Sequence, residues 1–84
     1  MSQLREEVET AIARALAEAL PELGDVDPDS ALTGDLGLDS VQIMNLVMEI
    51  EDNLDLSVPV DVLAEVRTIN QLTAQLVKLK EKQA

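Results

Sequence analysis

The spacing of apolar residues is the feature that most narrows what this chain can fold into. Leucine, valine, isoleucine and alanine recur every three or four positions over residues 3–20, 40–54 and 68–79. That period matches one face of an α-helix, and no stretch of the sequence alternates as a β-strand would. A shorter apolar stretch, 60–65, follows Pro59, which suits the first turn of a helix. The pattern predicts an all-α domain with three longer helices and one short third helix.

Composition restricts the core to aliphatic side chains. The 84 residues include no cysteine, histidine or aromatic residue, so disulfides and thiolate or imidazole metal ligands are not available. A chain of this length fits one domain, residues 1–84, that buries about 60–65% of the surface of the unfolded chain. No apolar run approaches the roughly 20 residues of a membrane helix. We expect a small cytoplasmic four-helix bundle that is monomeric in solution.

The segment between the first two helices has a different composition. Residues 21–38 include two prolines and three glycines and lack helical periodicity, which predicts a long loop. Asp39 and Gln42 then match a capping box, in which the aspartate caps the helix and the glutamine bonds back to the cap. Thr68 and Gln71 repeat this pattern at the start of the last helix. Both helix starts are therefore predicted from side-chain chemistry as well as from periodicity.

Ser40 stands where the long loop meets the second helix. The chain has no histidine to serve as the base that a serine nucleophile usually needs. The N–H groups and dipole of a helix N-terminus would instead favour a phosphate joined to this serine. Gly34 and Gly37 would let the loop approach such a group without an obstructing side chain. Ser40 is predicted to receive a group rather than to attack a substrate, with an ordinary pair of capping residues as the alternative.

The second helix has two apolar stripes. On a helical wheel one stripe spans about 100° and is predicted to be buried. Its members are Ile43, Leu46, Val47, Ile50 and Leu54. Val41, Met44 and Met48 lie outside it, beside acidic residues, and methionine suits a surface that must fit several partners. This second stripe predicts a helix that docks on partner proteins. The alternative is that its residues pack against the loop or the third helix.

Charge is distributed unevenly along the chain. The net charge is −11, and thirteen acidic residues but no basic residue lie between Arg14 and Arg67. The phosphate backbone of a nucleic acid would be repelled, so we expect no nucleic-acid partner. A basic protein surface would be attracted to this region. The acidic centre therefore favours a docking role, and a merely soluble surface is the alternative.

Three aspartates in the long loop have the spacing of calcium ligands. Asp25, Asp27 and Asp29 occupy alternate positions, as do the first ligands of an EF-hand loop. Ser30 stands where that loop requires glycine, and Leu36 stands where it requires a bidentate glutamate. The sequence therefore predicts no specific metal site, with loose binding of divalent ions to the acidic surface as the alternative.

Together these motifs resemble the acyl carrier protein family. No single motif is specific, but their order and spacing match over about residues 32–80. The matching segments are Asp35-Leu36-Gly37-Leu38-Asp39-Ser40-Val41, Met48-Glu49-Ile50-Glu51, Val58-Pro59 before the short helix, and Thr68-Ile69 at the start of the last helix.

The resemblance implies a carrier without catalytic residues. Ser40 would hold 4′-phosphopantetheine through a phosphodiester, with Asp39 and Gly37 beside it. The thiol of that group would hold an acyl chain as a thioester and so supply the thiol that the sequence lacks. A phosphopantetheinyl transferase would attach the group. Enzymes of fatty-acid, polyketide or specialised lipid biosynthesis, with basic docking patches, would act on the cargo.

The resemblance also implies two sets of residues around the cofactor. The docking set is Asp35, Val41, Met44, Met48, Glu51 and Asp52. The set lining a cavity for the acyl chain is Leu46, Val47, Ile50, Val58, Leu63, Val66 and Ile69.

Two positions depart from the family pattern. Gln42 and Asn45 stand where carriers of the general fatty-acid pathway commonly have acidic residues. The second helix is therefore less charged near Ser40 than in those carriers, and a specialised carrier is an open possibility. The remaining alternative is an unmodified acidic adaptor that binds partner proteins through the second helix.

Overall fold

The computed structural model describes the backbone of residues 2–83 and the side chains of residues 3–83. Its helices are α1 (Ser2–Ala19), α2 (Ser40–Leu54), α3 (Val60–Glu65) and α4 (Ile69–Gln83), with a 3₁₀ turn at Pro21–Leu23. Over this part of the chain no strand forms, and one isolated bridge pairs Ala31 with Thr68. None of the described helices has both the length and the apolar character needed to cross a membrane. The predicted all-α bundle with a short third helix is confirmed.

The core is organised around α1, which packs against both α2 and α4. The buried side chains of the three helices are Val8, Ala11, Ile12 and Ala15 from α1, Leu46, Val47, Ile50 and Leu54 from α2, and Ile69, Leu72 and Leu76 from α4. Thr73 of α4 is polar and is also buried, and its hydroxyl donates to the Ile69 carbonyl at 2.9 Å. The core is therefore aliphatic, as the composition requires.

Both predicted capping boxes form. At α2 the Gln42 N–H donates to Oδ1 of Asp39 at 2.8 Å, and the Asp39 N–H donates to Oε1 of Gln42 at 3.0 Å. At α4 the Gln71 N–H donates to the Thr68 hydroxyl at 3.1 Å, and Gln71 Oε1 accepts the Thr68 N–H at 3.3 Å. Each box satisfies donors that lack intrahelical acceptors, so both helices have well-defined starts.

The long loop between α1 and α2 is attached to the start of α4. The Leu32 N–H donates to the Arg67 carbonyl at 2.8 Å, and the Asn70 N–H donates to the Pro28 carbonyl at 3.0 Å. The Asn70 side chain also donates to the Asp29 carboxylate. Because Leu32 is itself buried, the loop belongs to the packed structure and brings the chain to Ser40 along a fixed path.

The C-terminal end of α2 is held by α4. Asp55 ends the helix in the left-handed conformation, with φ of 53°. The Lys80 ammonium donates to the Leu54 carbonyl at 2.7 Å, and Gln83 Nε2 donates to the Asp55 carbonyl at 2.8 Å. The Lys80 charge also meets the negative end of the α2 dipole. Lys80 therefore stabilises the end of a neighbouring helix.

Replacing Lys80 with alanine is expected to lower the free energy of unfolding by about 1 kcal/mol more than replacing Lys78. The reason is that the Leu54 carbonyl loses a charged donor. Lys78 is exposed on the same helix, and its replacement removes the same charge. Urea unfolding followed by circular dichroism measures both variants. Equal losses would mean that the bond from Lys80 to Leu54 contributes nothing to stability.

Candidate functional site

Ser40 is the first residue of α2, and its side chain is exposed. In the first turn the Gln42 N–H is bound by the Asp39 carboxylate, and the Ile43 N–H is bound by the Asp39 carbonyl. The N–H groups of Ser40 and Val41 precede these at the exposed start of the helix. The serine hydroxyl therefore meets solvent beside polarised donors, a setting that favours a phosphate ester.

Gly37 shapes the approach to Ser40 through its backbone conformation. Its φ is +68°, in the region that residues with a side chain rarely adopt. A Cβ atom placed on Gly37 would meet no atom within 4 Å, and one on Gly34 would lie 3.6 Å from Cβ of Ala31, an ordinary contact. Close packing within the protein therefore does not require glycine at either position, and the expectation that they clear space for a group on the serine stays a prediction. At Gly37 the turn itself requires glycine.

Asp35 supports the same turn. Its Oδ2 accepts the Ala31 N–H at 2.8 Å, and its own N–H donates to the Ala31 carbonyl at 3.0 Å. The side chain nevertheless remains exposed. If Asp35 takes part in docking, as predicted, its carboxylate is already held in position by the loop.

The second apolar stripe of α2 lies in solvent. The exposed fractions of Val41, Met44 and Met48 are 66%, 53% and 58%. These three residues are called the exposed stripe below, and their exposure excludes the alternative that they pack inside the molecule. Val60, at the start of α3, is also exposed, at 74%, and sequence reasoning missed it. The apolar stretch 60–65 is too short to show helical periodicity, so the sequence could not distinguish the exposed Val60 from the half-buried Val62.

Glu51 and Asp52 are neighbours in the sequence but differ in their surroundings. Asp52 is exposed, whereas Glu51 is half-buried and its Oε2 accepts the Val58 N–H at 2.7 Å. Glu51 was predicted to face partner proteins, but in the structure its carboxylate holds the connection between α2 and α3. Helical periodicity could not reveal this bond, because the donor is a backbone N–H beyond the end of the helix. The predicted docking role therefore fits Asp52 better than Glu51.

The residues of the predicted acyl cavity lie in one closed core. Leu46, Val47, Ile50, Val58 and Ile69 are buried, and Leu63 and Val66 are half-buried against them. A cleft of about 190 Å³ lies elsewhere, between α1, the long loop and α4, and of this set only Ile69 lines it. The structure thus brings the predicted residues together as packed neighbours that a guest chain would have to separate.

Two aspartates of the long loop accept hydrogen bonds that hold the loop. Among the residues that the structure describes, no three potential ligands lie close enough to bind a metal ion. Asp27 Oδ1 accepts the Asp29 N–H at 2.9 Å, and Asp29 in turn accepts from Asn70. Asp27 and Asp29 are thus engaged in bonds within the loop and to α4, and the absence of a metal site stays a prediction.

Glu18 of α1 and Glu49 of α2 form a carboxyl pair where the two helices meet. A hydrogen bond between the carboxyl groups, which requires a proton on one of them, raises the pKa of Glu49 above its ordinary value. Partial removal from water and the negative charges of Glu18 and Asp52 act in the same direction. Sequence reasoning missed this pair because its members lie on different helices.

Comparison with known proteins gives a consistent result. The family described as phosphopantetheine attachment site matches residues 6–76. A probable acyl carrier protein of Caulobacter vibrioides is 37% identical over 67 residues, which are 80% of this chain and 73% of the relative. The acyl carrier protein of Streptomyces coelicolor is 34% identical over 74 residues, 88% of this chain and 78% of the relative. The meromycolate extension acyl carrier protein of Mycolicibacterium smegmatis is 28% identical over 82 residues, 96% and 83% of the two chains. No solved structure gave a significant match.

Replacing Glu49 with glutamine is expected to raise the melting temperature near neutral pH. In the variant the glutamine amide can donate a hydrogen bond to the Glu18 carboxylate. In the unsubstituted protein two ionised carboxylates at these positions repel each other. Because the pKa of Glu49 is raised on folding, the folded state binds this proton more tightly than the unfolded state does. The stability of the unsubstituted protein therefore falls as the pH rises through that pKa. The gain from glutamine should be largest at neutral pH and shrink below about pH 4.

The matched control for this prediction is Glu22→Gln, which removes the same charge at an exposed position away from the pair. Thermal unfolding of both variants at several pH values separates the two effects. A similar gain from Glu22→Gln would show that lower net charge, rather than relief of the carboxyl pair, raises the stability.

Proposed function

This chain belongs to the acyl carrier protein family, and we propose that it carries acyl intermediates on a 4′-phosphopantetheine group attached to Ser40. Members of this family hold that group covalently and are carriers rather than catalysts. The attachment point rests on one observation: Ser40 is an exposed hydroxyl at the first residue of α2, directly after the capped helix start. A transferase can therefore reach it without unfolding the helix.

The residues around Ser40 fit a phosphodiester. The Asp39 carboxylate accepts the Gln42 N–H, so its charge is partly offset by the start of the helix. The N–H groups of Ser40 and Val41 offer further positive potential beside the hydroxyl. Asp39 fixes the start of the helix and the turn at Gly37 directs the loop, so together they determine where Ser40 lies. When bound, the group supplies a thiol to which an acyl chain can be joined.

We place the acyl chain between α2 and α3. The two helices contribute most of the residues proposed to surround it, and these already form an apolar core. The six residues of α3 include none that is fully buried, so this helix is the wall that moves at least cost. Each methylene transferred from water contributes about 0.8 kcal/mol, so a chain of several carbons can offset the separation of α3 from α2.

The exposed stripe is the proposed docking surface, with Asp52 beside it. Its three apolar side chains offer area that an enzyme can bury, and methionine adapts to partners of different shape. The net charge of −11 would steer a basic patch toward this face and speed the encounter. The carrier then promotes each reaction by raising the local concentration of the cargo and by presenting it in one orientation.

Charge near Ser40 bears on which enzymes act on this carrier. Gln42 takes part in the capping box, and the first acidic residue within α2 is Glu49. Partners would therefore depend more on the apolar contact than on charge close to the serine.

We propose a role in fatty-acid, polyketide or specialised lipid biosynthesis. The relative named for meromycolate extension makes the lengthening of long acyl chains one candidate. Action as one domain, as a monomer and in the cytoplasm stays a prediction from composition.

Incubation with a phosphopantetheinyl transferase and coenzyme A is expected to increase the intact mass by one phosphopantetheine. Ser40→Ala should abolish the increase because it removes the acceptor oxygen. Ser57→Ala is the matched control, since Ser57 is also exposed but lies beyond α2, and it should be modified fully. An unchanged mass of the unsubstituted protein with several transferases would favour the unmodified adaptor that binds through α2.

Reversing the charge of Asp52 with lysine is expected to slow transferase loading about tenfold at low salt, because a basic partner surface would be repelled. The difference should shrink as the salt concentration rises, since exposed charges are screened. Glu22→Lys changes the net charge equally at a site away from α2 and serves as the control. Equal slowing by the two variants, measured as initial loading rates, would assign the effect to net charge and remove Asp52 from the docking surface.

A further inference from the structure

Glu51 is bonded to three successive points of the connection between α2 and α3. Its carbonyl accepts the N–H of Asp55 and, at 3.2 Å, that of Leu56. Its carboxylate accepts the Val58 N–H at 2.7 Å. Pro59 has no N–H, so Val58 supplies the last backbone donor before α3 begins. One residue of α2 therefore accepts three of the backbone N–H groups that lead into α3.

The parts of this region differ in how firmly they are held. Leu56 and Val58 are 8% and 9% exposed, so their side chains anchor the connection in the core. By contrast, every residue of α3 is exposed or half-buried, and Pro59 gives the helix no side-chain cap. A helix of six residues is not stable in isolation. The connection is thus the fixed part, and α3 is the part that can move.

This inference rests on the proposed function, in which an acyl chain lies between α2 and α3. We propose that Glu51 is a positioning residue for the sheltered chain, because its carboxylate holds Val58 as the fixed floor of the site while α3 moves aside. Without that acceptor, the partly buried Val58 N–H would be left unpaired and the floor would loosen. Glu51 would then determine how well the chain is sheltered, whereas Asp52 beside it serves partner docking.

The first experiment uses the unmodified protein and measures amide hydrogen exchange by NMR. Exchange at Val58 should be about tenfold faster in Glu51→Ala, because a charge-assisted hydrogen bond is lost. Glu51→Gln keeps an acceptor oxygen and should stay within about twofold of the unsubstituted protein. Glu7→Ala, an exposed carboxylate on α1, should have no effect. Unchanged exchange at Leu46 and Ile50 would show that the fold is retained, and unchanged exchange at Val58 in Glu51→Ala would overturn the proposal.

The second experiment uses protein loaded at Ser40 with an octanoyl or an acetyl thioester and measures cleavage by hydroxylamine. The octanoyl thioester should be cleaved about fivefold faster in Glu51→Ala, and Glu51→Gln should restore the slow rate. The acetyl chain is too short to reach the core, so its cleavage rate should be the same in all variants. A general loss of stability would not produce this dependence on chain length.

Each outcome decides one part of the inference. Equal octanoyl cleavage in Glu51→Ala and the unsubstituted protein would overturn the positioning role, even if exchange at Val58 changes. Equal cleavage rates for the octanoyl and acetyl thioesters in the unsubstituted protein would mean that the core does not shelter the chain. That result would also overturn the positioning role of Glu51. Failure of Ser40 to accept the cofactor would appear in the intact mass and refute the proposed function itself. The exchange experiment needs no cofactor and decides separately whether the bond from Glu51 to Val58 holds the connection.

Discussion

Burial of the apolar face of α1 against α2 and α4 is the interaction on which the rest of the structure depends. Without aromatic rings, the core consists of many aliphatic contacts, each of small energy. α1 is the helix that packs against both of the other long helices, so it determines where α2 lies. The position of Ser40 follows from that of α2. The proposed cofactor site, one exposed hydroxyl, therefore depends on packing that takes place on the opposite face of its helix.

Hydrophobic burial has no direction, so polar bonds define where each element begins and ends. The capping box of Asp39 and Gln42 fixes the start of α2, and Lys80 binds the carbonyl of Leu54 at its end. α2 is thus held at both ends as well as along its buried face. α3 lacks a side-chain cap and has no fully buried residue. The molecule therefore has one firmly held helix, α2, which carries Ser40, and one short helix, α3, which can move away from the core.

Local signals in the sequence were sufficient for most of the fold and for the position of Ser40. Asp39 and Thr68 cap helices whose glutamine partners lie three residues away, so both starts could be predicted from neighbouring residues. Bonds that depend on tertiary structure were not accessible in this way. The pairing of Glu18 with Glu49 requires two helices to meet. The bond from Glu51 to Val58 requires the chain to turn back after α2, so nothing in the sequence distinguishes Glu51 from the exposed Asp52 beside it.

The difference between Glu51 and Asp52 explains how one helix can serve a carrier in two ways. Successive residues on a helix are rotated by about 100°, so adjacent carboxylates necessarily face different surroundings. Glu51 is turned toward the backbone that leads into α3, and Asp52 is turned toward solvent beside Met48. A substitution that removes either one changes the net charge equally but acts on a different process. In the proposed carrier, shelter of the cargo and recognition by enzymes can therefore vary independently, although both depend on the same two turns of α2.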